Sequence, residues 1–217
     1  LANPVTITLA SLVIVIICAS LAGFAIARIR SKLFRGYYSV LVTLMVIPFI
    51  GCLLPLTVQA TRLGTYDSIW GCILIQSAWN MPFATFLFAG FMQSLPRELE
   101  EAAYIDGAGT IRTFFQVMLP NARTMMMTVF LFSFVWQWLD ATYTPVFCSN
   151  SELVPVLIGT LESPLNHISL SGAGSQLMTA SLVRNAGIVL AIFPLVILYA
   201  FVQKYFVQSV ERSGLVG

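Results

Sequence analysis

Apolar residues run along this chain in long blocks, not at the spacing of a half-buried helix or strand. Five blocks, near 5–27, 37–60, 68–92, 124–147 and 186–208, reach the roughly 20 residues of helix that a bilayer core requires. Polar stretches separate them, and two are long: 93–123 and 148–185. The second holds Asn, Ser, Gly and Pro among apolar residues, and a short helix is expected near 153–162. The pattern predicts an all-α, polytopic transmembrane helical bundle forming a single domain over 1–217, with no internal repeat.

Prolines punctuate the blocks at Pro48, Pro55, Pro82 and Pro194. Each frees a backbone carbonyl that lipid cannot satisfy, so the kinks are expected to face other helices or a wet cavity. Composition agrees with the block pattern. Charged residues are 9% of the chain and the mean hydropathy is +0.88, whereas a water-soluble domain carries about a quarter charged residues.

The net charge of +2 says less than where the charges sit. With five spans the connections alternate sides, and nine of the eleven basic residues fall on one: Arg28, Arg30, Lys32, Arg35, Arg97, Arg112, Arg123, Lys204 and Arg212. Arg62 and Arg184 fall on the other. The positive-inside bias then puts 28–36, 93–123 and the C-terminus in the cytoplasm and the N-terminal end outside. An outside start without a signal segment points to an additional upstream helix, so a sixth span is expected in a longer chain. The four cysteines, Cys18, Cys52, Cys72 and Cys148, form no CxxC pair and read as small hydrophobes. His167 is the only histidine, so no metal site is expected.

The segment 93–123 carries four of the nine acids and three arginines. Pro96 suits a first helical position, Glu98, Glu100 and Glu101 suit the early turns, and Gly107 suits a left-handed stop. A short helix over about 96–106 follows, with Ala102 and Ala103 giving it a flat face that another surface can approach closely.

Glu101-Ala102-Ala103, three residues, Gly107, nine residues, Val117, one residue, Leu119-Pro120 resembles the EAA signature of permeases from binding-protein-dependent ABC importers. Val117 stands where that signature usually has Ile. Ile105-Asp106-Gly107-Ala108 resembles the form common in the carbohydrate (oligosaccharide) permeases, which include the smaller maltose-type permease. Met45-Val46-Ile47-Pro48, Trp138-Leu139-Asp140 and Phe193-Pro194 with Gln203-Lys204-Tyr205-Phe206-Val207 are similar to further family stretches.

The resemblance implies a multi-pass subunit in a bacterial cytoplasmic (inner) membrane. Its partners would be an ATPase dimer, a second and different permease subunit and an extracytoplasmic solute-binding protein, with no nucleic acid. Glu101, Ala102, Ala103, Asp106, Gly107, Leu119 and Pro120 would dock on the ATPase. No cofactor is expected on this chain; ATP and Mg would sit on the partner, because no phosphate loop ending in Gly-Lys-Ser/Thr occurs here.

Polar and aromatic residues within the blocks give the expected substrate path: Trp79, Asn80, Trp136, Gln137 and Asp140, with Gln76 and Trp138 nearby. Aromatic faces and amides suit a sugar. Trp136, Trp138 and Tyr143 are also consistent with an aromatic belt at a bilayer interface, and Asp140 with either a functional carboxylate inside a span or a place at the outer interface. A polyamine or phosphate-ester cargo, or a secondary transporter, are the alternatives. An intramembrane hydrolase lacks the necessary histidine, serine or paired-aspartate set.

Overall fold

The computed structural model describes residues 2–140, 142–148, 182 and 185–203. The helix expected near 153–162, His167 and the tail beyond Gln203 lie outside them. Every element among the described residues is helical. In chain order they are α1 (Ala2–Arg28), α2 (Lys32–Leu44), α3 (Phe49–Arg62), α4 (Ile69–Ser94), α5 (Glu98–Ile105) and α6 (Thr110–Thr113). A π-helical turn (Phe114–Met118), α7 (Leu119–Asn121), α8 (Arg123–Trp138), α9 (Tyr143–Phe147) and α10 (Asn185–Gln203) follow.

Among the described residues, three helices are long and apolar enough to cross a membrane unbroken: Val5–Arg28 within α1, then α4 and α10. The apolar block 37–60 is not one continuous helix. It splits into α2 and α3 around Met45–Pro48, with Pro48 itself extended. The cause is local: proline disfavours helical backbone in the residue before it and cannot donate to the turn behind it. The block 124–147 is also interrupted. Helix α8 stops at Trp138, and Asp140 then opens the separate turn of α9. The segments Thr110–Asn121 and Arg123–Trp138 join at a bend of 74°.

Helices α1 and α4 run parallel and form the axis of the bundle. Ser11 donates to the Ile73 carbonyl at one level, Gly23 lies against Phe88 further along, and Arg28 donates to the Leu95 carbonyl at the end. The approach at Gly23 needs the missing side chain, since a Cβ there would lie 2.6 Å from Phe88 Cβ and 2.9 Å from Ala89 N. One apolar core joins these helices to the loop segment and α8 through Val15, Ala19, Phe88, Phe114, Met118 and Val129. A second core lies at the opposite end, where Ile7, Ala60, Ile73 and Phe147 meet with Cys72 and Cys148. Outward-facing apolar residues of α1, α3 and α10, such as Val13, Ile50, Leu54 and Leu190, stay exposed. A hydrocarbon solvent covers such a surface without cost, and water does not.

Candidate functional site

Two regions collect the residues singled out by sequence, one at each end of the bundle. The first is the loop after α4. Helix α5 covers Glu98–Ile105, and Gly107 ends it with φ +78°, a conformation that costs a side-chain-bearing residue about 1 kcal/mol or more. The expected helix over 96–106 is therefore present, with its ends shifted by a residue or two.

The two alanines part company. Ala102 is exposed, while Ala103 is buried against the protein's own interior and is not part of an open flat face. Glu100 lies three residues before Ala103 and so shares its inward side. Its carboxylate forms an ion pair with Arg28 at the end of α1, and both side chains are about nine-tenths buried. Arg28 Nη2 also donates to the Leu95 carbonyl at 3.1 Å, so one guanidinium joins the ends of α1, α4 and the loop. Sequence reading placed Glu100 among the dipole-facing acids and missed this role. The signal was available, because helical spacing alone puts Glu100 and Ala103 on one side and Glu101 on another.

Outward from the loop point Glu101, Ala102, Tyr104, Ile105, Asp106 and Gly107. Ile105 is 86% exposed and Ile111 is 76% exposed. Two large apolar side chains thus stand exposed beside acids, clear of the long helices. Leu119 and Pro120 lie half-buried behind it. Pro120 brings no N–H, and the backbone meets this with the wide turn Phe114–Met118 just before it. Asn121 Nδ2 then donates to the Val117 carbonyl at 2.7 Å. Phe114 packs on Phe24 of α1 with ring centroids 5.3 Å apart, so the distal half of the loop is also fastened to the bundle.

The second region is a cavity of about 380 Å³ between α4 and the end of α8. Trp79, Asn80, Trp136, Gln137 and Asp140 all line it, as do Gln76 and Tyr143. The five residues named by sequence thus converge on one space, although their positions span 61 residues of chain. Trp79 and Trp136 also border an adjoining apolar cavity of about 520 Å³ that opens toward the break between α2 and α3. Trp138 is turned away from it. It is buried, and its indole N–H donates to the Ala191 carbonyl of α10 at 2.9 Å, so it is no member of an open aromatic belt.

Asp140 is buried just past α8 and is occupied structurally. Oδ1 accepts the amides of Thr142 and Tyr143, and Oδ2 accepts the amide and hydroxyl of Thr144, all within 2.9 Å. This is an N-terminal cap of α9, supported from α4 by Gln76, whose Nε2 donates to Thr144 Oγ1 at 2.8 Å.

The amides differ. Gln76 Oε1, Asn80 Oδ1 and both polar atoms of Gln137 are buried without a hydrogen-bond partner. Such groups cost about 1–3 kcal/mol each unless something else meets them, and here they border a space large enough for a polar solute. Among the described residues, no cluster of His, Cys, Asp and Glu could hold a metal ion.

Residues 5–212 match the family described as "Binding-protein-dependent transport system inner membrane component". The chain is 29% identical over 219 residues to the melibiose/raffinose/stachyose import permease protein MelC of Bacillus subtilis, covering 99% of this chain and 75% of that protein. It is 30% identical over 214 residues to the diacetylchitobiose uptake system permease protein NgcG of Streptomyces coelicolor, covering 97% and 67%. It is 29% identical over 218 residues to the maltodextrin transport system permease protein MdxG of Bacillus subtilis, covering 99% and 74%. Its fold is shared with a chain in the crystal structure of a bacterial ABC transporter involved in the import of the acidic polysaccharide alginate, with TM-score 0.78 and 23% identity over 94% of this chain and 73% of that one. Apolar helices of spanning length, the loop signature at its spacing and the matched residues agree: the chain belongs to the family of binding-protein-dependent inner membrane components, the permease subunits of ABC importers.

Proposed function

We propose that this permease forms part of the path for a sugar or oligosaccharide, and that α5 with its flanking turns is a cytoplasmic coupling helix seated on an ATPase subunit. The buried, unpartnered amide oxygens of Gln76 and Asn80 and the wholly unpartnered amide of Gln137 carry the cargo reading. Amide donors and acceptors beside the indoles of Trp79 and Trp136 complement a solute with hydroxyl groups on its edges and C–H groups on its faces. The names of the relatives support the same class of cargo. A polyamine would call for unpaired carboxylates at the cavity, whereas Asp140 already accepts its own cap.

The coupling reading rests on how the loop is fastened. The Arg28–Glu100 pair and the Phe24–Phe114 contact tie both halves of the loop to α1, so force applied at α5 moves the bundle axis and does not bend a tether. Glu101, Ala102, Asp106 and Gly107 form the docking side, with Ile105 as its apolar centre, while Ala103, Leu119 and Pro120 support them from behind. ATP and Mg belong to the ATPase dimer. A second, different permease and an extracytoplasmic binding protein complete the importer in the inner membrane, with the loop and the C-terminus on the cytoplasmic side and six spans in the full subunit.

Purification of the importer through a tag on this subunit tests both halves. Gly107→Asp is expected to lose the ATPase from the purified complex while the permease pair stays together. Reconstituted wild-type importer is expected to accumulate a tri- or tetrasaccharide from a labelled panel. Accumulation of a polyamine or phosphate ester in place of every sugar would overturn the cargo reading.

A further inference from the structure

A third cavity, of about 210 Å³, lies where α1 ends and α2 begins, beside the start of the coupling loop. Three arginines from three separate segments line it: Arg30 after α1, Arg35 on α2 and Arg97 before α5. Ser31, Tyr38 and Gln93 line it too. The ion pair of this neighbourhood is Arg28 with Glu100, and among the described residues no carboxylate lies within ion-pair reach of Arg30, Arg35 or Arg97. All three are exposed, so water screens part of their mutual repulsion, and an anion held between them would remove the rest. Their planar forks match phosphate oxygens better than they match a diffuse counter-ion cloud.

The surroundings identify the source of the phosphate. The pocket sits at the end of the apolar span of α1, and so at the boundary of the hydrocarbon region. Arg35, Tyr38 and Val42 share one side of α2, and Met45 continues it at the helix end. Val42 and Met45 are exposed, and Tyr38 stacks on the exposed Phe86 of α4 at 6.3 Å with 9° between the rings. From Arg35 to Met45 the helix rises about 15 Å, which is roughly half of a 30 Å hydrocarbon core. A polar pocket suited to a phosphate thus adjoins an exposed apolar side of α2 about one leaflet deep. We propose that this pocket binds the phosphate of an anionic phospholipid, with an acyl chain laid along the exposed apolar side of α2. Bound there, the lipid would join the end of α1 and the start of α2 to Arg97, which leads into α5. The proposal rests on the membrane permease reading above.

The test uses the importer purified through a tag on this subunit, delipidated in detergent and followed by native mass spectrometry. It is titrated with phosphatidylglycerol, phosphatidylcholine or inorganic phosphate. One phosphatidylglycerol per copy of this subunit is expected to outlast delipidation, with phosphatidylcholine failing to replace it. Removing each arginine is expected to weaken retention roughly fivefold, so Arg30→Gln/Arg35→Gln/Arg97→Gln together lose about a hundredfold. Arg123→Gln, on another exposed part of the same end, is expected to match wild type. If the triple variant fails to fold, Arg35→Gln alone reads the fivefold step.

Equal retention of the two lipids overturns the proposal, as does a triple variant that binds like wild type. Displacement of the lipid by inorganic phosphate at equal concentration would make the pocket a free-anion site and overturn the lipid source. Lipid retained only after the ATPase is stripped away would assign the arginines to a protein partner and overturn it as well. A subunit that copurifies with no ATPase under any condition counts against the permease reading; the lipid titration still reads the pocket.

Discussion

The two ends of the bundle differ in what their largest buried polar side chains meet. At the loop end, Glu100 is buried and answered by Arg28, which also meets the Leu95 carbonyl. At the far end, Gln76, Asn80 and Gln137 bury polar atoms that nothing in the fold answers. The first arrangement fixes geometry, since a buried charge pair holds its elements in one register at the risk of a large penalty if broken. The second stores unmet hydrogen-bonding capacity along a cavity wall. Under the proposed function, one end transmits force and the other exchanges partners with the passing solute.

This contrast can be broken experimentally, and the largest effect belongs to the loop end. Glu100→Ala leaves the Arg28 charge buried alone, a defect worth about 3 kcal/mol. It is expected to lower the melting temperature of the purified importer and to uncouple ATP hydrolysis from uptake. Arg28→Met/Glu100→Met, which removes both charges, is expected to recover most of the stability. A double variant as unstable as Glu100→Ala would show that the pair does not act as a unit.

Next in size is the helix crossing that carries the axis between the two ends. Gly23→Ala inserts a Cβ 2.6 Å from Phe88 Cβ, and overpacking of that kind costs about 2 kcal/mol. A lower melting temperature with the ATPase still bound is the expected result. An unchanged melting temperature would mean that the crossing of α1 and α4 is looser than described.

The smallest stability effect has the opposite sign. Gln137→Leu removes two unanswered buried polar atoms, so stability is expected to hold or rise by about 1 kcal/mol. Sugar uptake is expected to fall at least tenfold while basal ATP hydrolysis persists. Loss of stability in this variant would mean that Gln137 is a structural residue and that the contrast between the two ends is false.

The loop was legible because its signals are local. Pro96, the early acids and Gly107 act within one short helix, and the signature spacing repeats them. The break in 37–60 was half legible: Pro48 and Pro55 stand in the sequence as kinks, but hydropathy averaged over a window ran straight through them. Asp140 was half legible: its place at the cavity follows the expectation, while its role as a cap shows only in its four short hydrogen bonds.

By itself, then, the sequence determined a membrane-embedded helical permease and a short helix ending at Gly107. Each of these follows from composition or from residues within one turn or block of each other. The tertiary structure decided the inward turn of Ala103, the pairing of Glu100 with Arg28, and the convergence of Gln76, Asn80 and Gln137 on one cavity. Those facts join residues tens of positions apart, and which of them meet depends on how α1 and α4 cross at Gly23, which no local propensity encodes.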